Sequence, residues 1–366
     1  MSEKDLTMMH RVLELAASAP HTSPNPRVGA VVVRDGSLIA EAAHQGPPHP
    51  HAERAALDGI DAGGATLFIN LEPCSHRTGF DGRARRPCCE AVVAAGIRRV
   101  VASMEDPDPR VQGGGFDYLR SHGVEVEIGL LEDEARRLNA AFVHHRTTGR
   151  PLVTLKLALT MDGRMAAPDG TARWITGAET RRKVHERRAV ADAVIVGAGT
   201  VVADDPRLMA RDVDARRQPL RVVVDSSGRA RPDARIFDND GNSLVATTST
   251  APHDAQVAWK EAGAEVIVLP GGPRGVDLRE LLTALGARRI LDLYCEGGAD
   301  LATSLLAADL VDRLELHLAP KLVGRGGPDI GDLGVGSMPD ARAWRISETA
   351  RSGDDLLVTL ARRGEG

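Results

Sequence analysis

Apolar residues recur at helical spacing at the start of the chain, at Leu6, Met9, Val12, Leu13 and Ala16, which predicts an opening amphipathic helix. The period then shortens. Val28 to Val33 reads as a strand, Asp35-Gly36 as a hairpin turn, and the stretch around Ser37 to Ala42 as the return strand. Further on, short helices are predicted over His51 to Leu57, Cys88 to Ala95 and Gly115 to Ser121. Strands are predicted over Ala65 to Leu71, Ile97 to Ala102 and Val124 to Ile128. Helices alternating with short apolar strands imply a three-layer α/β domain. The pattern breaks at Gly149-Arg150-Pro151 and apolar alternation restarts at Leu152 to Leu159. Strands then recur at Asp192 to Val196, Leu220 to Asp225, Leu244 to Thr248, Glu265 to Leu269, Ile290 to Cys295 and Arg313 to Leu318. The organisation expected is therefore a first α/β domain over residues 1–148 and a second over 151–366.

Length and composition agree with this division and narrow the function. A chain of 366 residues with 42% hydrophobic content is too long for one ordinary core and apolar enough to build two. Its net charge of −5 argues against nucleic acid or a membrane surface as the main partner and favours a small polar substrate. Four cysteines supply no disulfide framework and point to a reducing compartment. The first residues, Met1-Ser2-Glu3-Lys4-Asp5, lack the apolar run of a signal peptide, and no stretch of about 18 apolar residues occurs. A cytoplasmic location is expected, and a homo-oligomer.

The stretch from His51 to Cys88 carries the chemistry. It reads His51-Ala52-Glu53, then Leu71-Glu72-Pro73-Cys74, then Pro87-Cys88-Cys89. A catalytic zinc takes three protein ligands and keeps a fourth position for water, whose pKa it lowers to about 7. His51, Cys74 and Cys88 are the expected ligands. Glu53, two residues past the imidazole, sits near the metal without binding it, placed to carry a proton between water and a leaving amine. His-x-Glu followed by Pro-Cys and a second Cys is the signature of zinc deaminases that act on nucleobase-type rings. The two thiols stand fourteen positions apart, an unusually long gap filled by the polar loop Ser75 to Arg86, but closure entropy grows only slowly with loop length. Cys89 is the rival ligand; the prolines at 73 and 87 both precede an expected helix start, which favours Cys88.

Other positions carry weaker signals. In Pro24-Asn25-Pro26 the residues favour a turn, and the Asn25 amide, donor and acceptor together, also suits a ring edge. His44 suits either an exposed position or a second substrate contact. Gly197-Ala198-Gly199 follows a strand but lacks the third glycine of a dinucleotide fingerprint, since position 202 is Val. Glu296-Gly297-Gly298-Ala299 is the better phosphate cradle, because a strand ends there and a helix is expected to begin at Leu301, leaving backbone N–H groups to face a pyrophosphate.

Several motifs together resemble a known family. Pro24-Asn25-Pro26-Arg27-Val28-Gly29, His51-Ala52-Glu53, Leu71-Glu72-Pro73-Cys74-Ser75-His76 and Asp106-Pro107-Asp108-Pro109-Arg110-Val111 resemble the deaminase half of the bifunctional deaminase-reductases of riboflavin biosynthesis. Lys156-Leu157-Ala158-Leu159-Thr160-Met161-Asp162-Gly163-Arg164, Trp174-Ile175-Thr176, Thr200 to Pro206 and Ala319-Pro320-Lys321 resemble the reductase half. The order of the two halves matches as well. The resemblance implies a cytidine-deaminase-like first domain and a dihydrofolate-reductase-like second domain, with Zn2+ and NADPH as cofactors. It matches His51, Cys74 and Cys88 to zinc ligands and Glu53 to the proton carrier. Asn25, His44, His76 and Asp106 match positions near the deaminase substrate. In the second half Trp174, Thr200, Asp204, Ser226 and Gly298 match cofactor positions, and Arg188, Leu208, Arg211 and Glu296 match substrate positions. The two arginines suit a ribose phosphate because guanidinium binds phosphate in bidentate fashion.

This chain departs from the family in four places. Pro47-Pro48 stands where the family has Ala-Gly, Asp108 where it has Asn, Ala172 where it has Ser, and Arg77 to Arg86 where it has a shorter Lys- or Arg-containing loop. The reaction the resemblance implies is hydrolytic deamination of a diaminopyrimidinone bearing a ribosylamino 5′-phosphate, followed by NADPH reduction of the ribosyl group to ribityl. A cytosine- or tRNA-type deaminase with an accessory domain, and a pathway-tailored or half-inactive paralogue, stay open from sequence, as does NADPH against NADH.

Overall fold

The structure, a computed structural model, describes residues 2–19, 21–77, 86–109, 111–238 and 242–362; most of the long loop singled out above, residues 78–85, lies outside them. The chain divides into two compact units, Met1–Gly149 and Arg150–Gly366.

The first unit opens with helix α1 (Glu3–Ser18), whose start is set by a capping box: the Ser2 hydroxyl accepts the Asp5 N–H and the Asp5 carboxylate accepts the Ser2 N–H. Strands β1 (Gly29–Arg34) and β2 (Ser37–Ala43) form the expected hairpin. They are followed by α2 (Ala52–Leu57), β3 (Thr66–Ile69), α3 (Cys88–Ala94), β4 (Arg99–Ala102), α4 (Gly114–Ser121) and β5 (Glu125–Ile128). The sheet runs β2-β1-β3-β4-β5, with β1 antiparallel to both neighbours and the last three strands parallel. The apolar stripe of α1 buries Met9 and Val12 against Val31, Phe68 and Val101. That approach is close enough to demand a glycine, because a Cβ on Gly29 would lie 2.2 Å from the Val12 carbonyl oxygen.

Two further helices, α5 (Glu132–Leu138) and α6 (Ala140–Thr148), were not expected. Each buries a single side chain, Ala135 and Phe142 respectively, so neither writes an apolar stripe into the sequence.

The second unit comprises β6 (Leu152–Thr160), α7 (Ala178–Val190), β7 (Ala193–Gly197), α8 (Ala198–Asp204), β8 (Leu220–Val224), β9 (Ser243–Thr247), α9 (His253–Glu261) and β10 (Glu265–Val268). The small hairpin of β11 (Gly271–Gly272) and β12 (Gly275–Val276) leads to α10 (Leu278–Ala287), β13 (Asp292–Cys295), α11 (Ala299–Ala307), β14 (Arg313–Ala319), β15 (Trp344–Ser352) and β16 (Asp355–Arg362). Its nine-stranded sheet is ordered β10-β9-β8-β7-β13-β6-β14-β16-β15. The seven strands from β10 to β14 are parallel, and β16 and β15 close the edge antiparallel. The parallel strands read as near-continuous apolar runs because both faces are covered. Leu155, Leu157, Leu293 and Leu314 pack with Leu281 and Leu305, while Val194, Val223, Val245 and Tyr294 pack with Val184 and Trp259. The edge strand β15 is exposed along most of its length, so alternation did not announce it.

The strand order places the returning strand β13 between β7 and β6. In open parallel sheets ligands bind beyond the carboxyl ends of strands at such a reversal.

Candidate active sites

In the first unit the sequence brings three soft ligands to one point. His51 is the N-cap of α2, Cys88 the first residue of α3, and Cys74 lies on the segment that follows β3. The expected placement of His51 within the first helical turn is corrected by its extended backbone, φ −64° and ψ 155°. His51 Nδ1 is 3.3 Å from Cys88 Sγ and 3.7 Å from Cys74 Sγ, and the three ligand atoms lie within 4.8 Å of one another. Nitrogen and sulfur ligands of one tetrahedral zinc stand about 3.5 Å apart, given bond lengths of about 2.0 and 2.3 Å. The set therefore fits zinc in donor type and in spacing. Cys89 Sγ is not part of it; the Cys89 N–H instead donates to the Cys74 carbonyl at 3.2 Å.

The electrostatics of the pair are those of sulfurs that share charge. Hydrogen bonds from Cys88 to Cys74 Sγ, one of them from its backbone N–H at 3.4 Å, draw the Cys74 thiol well below its ordinary range, with His51 acting in the same direction. The neighbouring Cys74 sulfur and burial push Cys88 up. Glu53, 3% exposed, is raised to about 7, first by burial and then by the Cys74 charge, while His51 opposes the rise.

Asn25, His44, His76 and Asp106 line a cavity of about 220 Å³ together with His51, Glu53 and Cys74. His44 Nδ1 donates to the Pro50 carbonyl at 2.8 Å, so its Nε2 accepts from the Asn25 amide at 2.9 Å. That network fixes the tautomer and aims the amide. Asn70 and Asn139, which sequence reasoning missed, hold the backbone of Arg27 from two sides. Asn70 Nδ2 donates to the Arg27 carbonyl and its Oδ1 accepts from Gly29, while Asn139 Oδ1 accepts the Arg27 N–H. Glu72 was also missed as a positioning group. Its buried carboxylate accepts backbone N–H groups of Asp106, Gly113, Gly115 and Phe116, which locks the start of α4 to the Cys74 segment. Asp106 is raised to about 6, chiefly by burial, with Glu72 adding to the rise. Asp108, Val111, Phe142 and Arg146 also line the cavity, the last two from the unforeseen α6.

In the second unit a cleft of about 440 Å³ opens beyond the ends of β7 and β8, lined by Gly197, Gly199, Ser226, Arg229 and Asp300 among others. Of the five expected cofactor positions Ser226 lines it. Thr200 and Gly298 meet one another, the Thr200 hydroxyl accepting the Gly298 N–H at 3.0 Å. That N–H is therefore not one of the donors left to face a phosphate. The helix expected from Leu301 begins at Ala299 with Gly298 as its N-cap, and Gly297 is required by packing, since its Cβ would meet the Leu301 side chain at 2.8 Å. Trp174, 61% exposed, is stacked under the Arg181 guanidinium at 4.4 Å. Arg173 lies 5.9 Å over the same ring and donates to the Asp204 carbonyl, which ties Trp174 to the end of α8. The Gly197-x-Gly199 turn, discounted as a dinucleotide fingerprint, lines the cleft all the same.

Arg188 and Glu296 are paired, contrary to a free phosphate-binding fork on Arg188. Arg188 Nε and Nη2 donate to the two Glu296 oxygens, and Nη1 donates to the Met209 carbonyl. Lys156 Nζ is 3.4 Å from Glu296 Oε2. Burial alone would raise Glu296, but the two cations outweigh it and hold the carboxyl at about 2. Leu208 is buried with a left-handed backbone, φ 53°, and Arg211 is exposed, its N–H 3.3 Å from His185 Nδ1.

Residues 2–104 match the cytidine and deoxycytidylate deaminase zinc-binding region, and residues 151–358 match the RibD C-terminal domain. The riboflavin biosynthesis protein RibD of Aquifex aeolicus is 38% identical over 98% of this chain and 99% of its own; that of Escherichia coli K12 is 38% identical with the same coverage. The chain belongs to the RibD family. Among solved structures, RibD of Acinetobacter baumannii (form 1) superposes with a TM-score of 0.88 at 34% identity, covering 98% of this chain and 99% of its own. The diaminohydroxyphosphoribosylaminopyrimidine deaminase/5-amino-6-(5-phosphoribosylamino)uracil reductase of Thermotoga maritima superposes at 0.85 with 33% identity and the same coverage. This RibD-family chain is thus a bifunctional enzyme of riboflavin biosynthesis, with a zinc deaminase in a cytidine-deaminase-like unit and an NADPH-dependent reductase in a dihydrofolate-reductase-like unit. Similarity along the full length, in one order, does not favour a cytosine or tRNA deaminase with an accessory domain. No helix among the described residues is long and apolar enough to cross a membrane.

Proposed function

We propose that the first unit deaminates a diaminopyrimidinone carrying a ribosylamino 5′-phosphate, and that the second reduces the ribosyl group of the product to ribityl. The observation that carries the first assignment is the convergence of His51, Cys74 and Cys88 on one point with buried Glu53 in the same cavity. His51, Cys74 and Cys88 would hold the zinc, which would supply a Lewis acid able to make water nucleophilic at neutral pH. Glu53, kept out of water and near neutral pKa by burial, takes the proton from the attacking water and delivers it to the departing amine. The Asn25 amide, held by His44, reads the ring edge; His76 and Asp106 flank it.

In the second unit the cleft beyond β7 and β8 would hold NADPH, whose chemistry would be the supply of a hydride. Arg229, which lines that cleft on the loop after β8, receives the 2′-phosphate; a cation near the end of the second strand of a βαβ unit favours NADPH over NADH. Arg188 and Lys156 keep Glu296 ionised and oriented toward substrate. Trp174, Thr200, Asp204, Ser226 and Gly298 frame the cofactor, and Leu208 and Arg211 the substrate. The chain acts without nucleic acid or membrane, in the cytoplasm and as a homo-oligomer.

The test supplies the diaminopyrimidinone ribosyl phosphate with NADPH and follows ammonia release and cofactor oxidation separately in wild type and Glu53→Ala. Ammonia release falling by at least about 100-fold in the variant is expected; survival of that activity reassigns the proton carrier.

A further inference from the structure

The deaminase cavity is acidic, yet the substrate proposed for it is an anion. A phosphate monoester carries about −1.5 to −2 charges at pH 7, while Glu53, Glu72, Asp106 and Asp108 all line the cavity. Asp108 stands where the family has a neutral amide, which adds a carboxylate to the cavity wall. A phosphate that leaves water beside carboxylates needs a cation within reach.

Among the described residues that line the cavity there is one Lys or Arg side chain, Arg146. It comes from α6, one of the two helices whose sequences gave no sign of them. The side chain is half-buried, and its guanidinium carbon lies 5.0 Å from the centroid of the Phe142 ring, itself part of the cavity wall. Stacking on an aromatic face limits where a guanidinium can go. The charge of Arg146 is felt at Asp106, another residue of the cavity wall, where it offsets part of the rise caused by burial and by Glu72.

We infer that Arg146 is the phosphate anchor of the deaminase half, receiving the substrate's 5′-phosphate on a guanidinium held against Phe142. The inference rests on the proposed phosphorylated substrate. It adds a specificity-determining residue and assigns α6 a part in the first site. The anchor binds the part of the substrate remote from the ring, so its energy goes into holding the reacting carbon in place.

The test compares ammonia release from the diaminopyrimidinone ribosyl 5′-phosphate and from the same compound without its phosphate, in wild type, Arg146→Ala, Arg146→Gln and Arg146→Lys. Zinc content and NADPH oxidation in the same preparations report that each variant is folded. Wild type prefers the phosphorylated compound. The ratio of the two kcat/KM values is expected to fall by about 100-fold in the Ala and Gln variants and to recover in part with Lys. A loss of equal factor on both compounds means that Arg146 only supports the wall and overturns the inference, as does an unchanged ratio. Ammonia release by wild type from neither compound overturns the proposed substrate itself and the anchor with it.

Discussion

Arg188 and Glu296 form a two-pronged ion pair inside the second unit, with side chains 12% and 7% exposed. The pair is closed on the outside by the Met209 carbonyl and Lys156, so Glu296 is an anion through the whole working range of pH. Because its folded pKa lies below the ordinary 4.5, the stability it contributes is fully present above that value and is lost as pH falls toward about 2. Glu296→Gln removes that acid-side loss and leaves two buried cations without a counter-charge, at a cost of about 3–5 kcal/mol. Urea denaturation of both proteins from pH 7 down to pH 3 checks it: the difference is greatest at pH 7 and shrinks on acidification. NADPH oxidation falls by at least about tenfold in the variant, whereas ammonia release does not.

Arg229 bears on cofactor choice. Replacing it with Ala removes the charge proposed to meet the 2′-phosphate, so the ratio of kcat/KM for NADPH to that for NADH falls by about 10- to 100-fold. Steady-state oxidation of the two cofactors measures this directly; an unchanged ratio moves the 2′-phosphate elsewhere in the cleft.

The motifs that carry chemistry were legible because each needs a fixed residue type: an imidazole before a carboxylate, and thiols behind prolines. Of the two helix starts expected after Pro73 and Pro87 only the second exists, since Cys88 opens α3 whereas Cys74 lies on an irregular segment after β3. The strands were legible because a buried parallel sheet writes uninterrupted apolar runs, as in Val222 and Val223 of β8 or Leu244 and Val245 of β9. What stayed hidden has a common physical cause. Asn70, Asn139 and Glu72 act through backbone groups far away in sequence, and nothing local marks an amide or carboxylate as a strut rather than a surface residue. Arg146 was hidden because α6 buries only Phe142. Arg188 was matched to a substrate position through the resemblance and to its phosphate through residue type, and the bonds that commit it to Glu296 span 108 positions.

Gly115 sits where α4 meets the metal-bearing segment. A Cβ there would lie 2.0 Å from the Pro73 carbonyl oxygen, next to Cys74, and 3.1 Å from Glu72 Oε1. Gly115→Ala must displace either α4 or the Cys74 segment, at about 1–3 kcal/mol, which exceeds the helix-propensity gain of about 1 kcal/mol. Lower Tm and weakened zinc retention against a chelator are expected; wild-type values for both contradict the close approach.

Asp5 caps α1 and also accepts both terminal nitrogens of Arg99, at 3.0 and 3.1 Å. The Arg99 hydrogen bonds, opposed by burial and helped by Ser2, hold its carboxyl at about 2 against an ordinary 3.8. A depressed folded pKa stabilises above the unfolded value, and that contribution disappears as pH falls through about 2. Asp5→Asn is expected to cost about 2 kcal/mol at pH 7 and progressively less below pH 4, measured by denaturant titration.

The metal centre is tested most directly by the zinc content of purified wild type, Cys88→Ser and Cys89→Ser, measured by elemental analysis after dialysis. Geometry that gathers Cys88 with His51 and Cys74 and leaves Cys89 outside predicts about one zinc per chain in wild type and Cys89→Ser, and less than about 0.1 in Cys88→Ser. Zinc retained by Cys88→Ser and lost by Cys89→Ser, or a wild type that releases ammonia with no zinc bound, would contradict it.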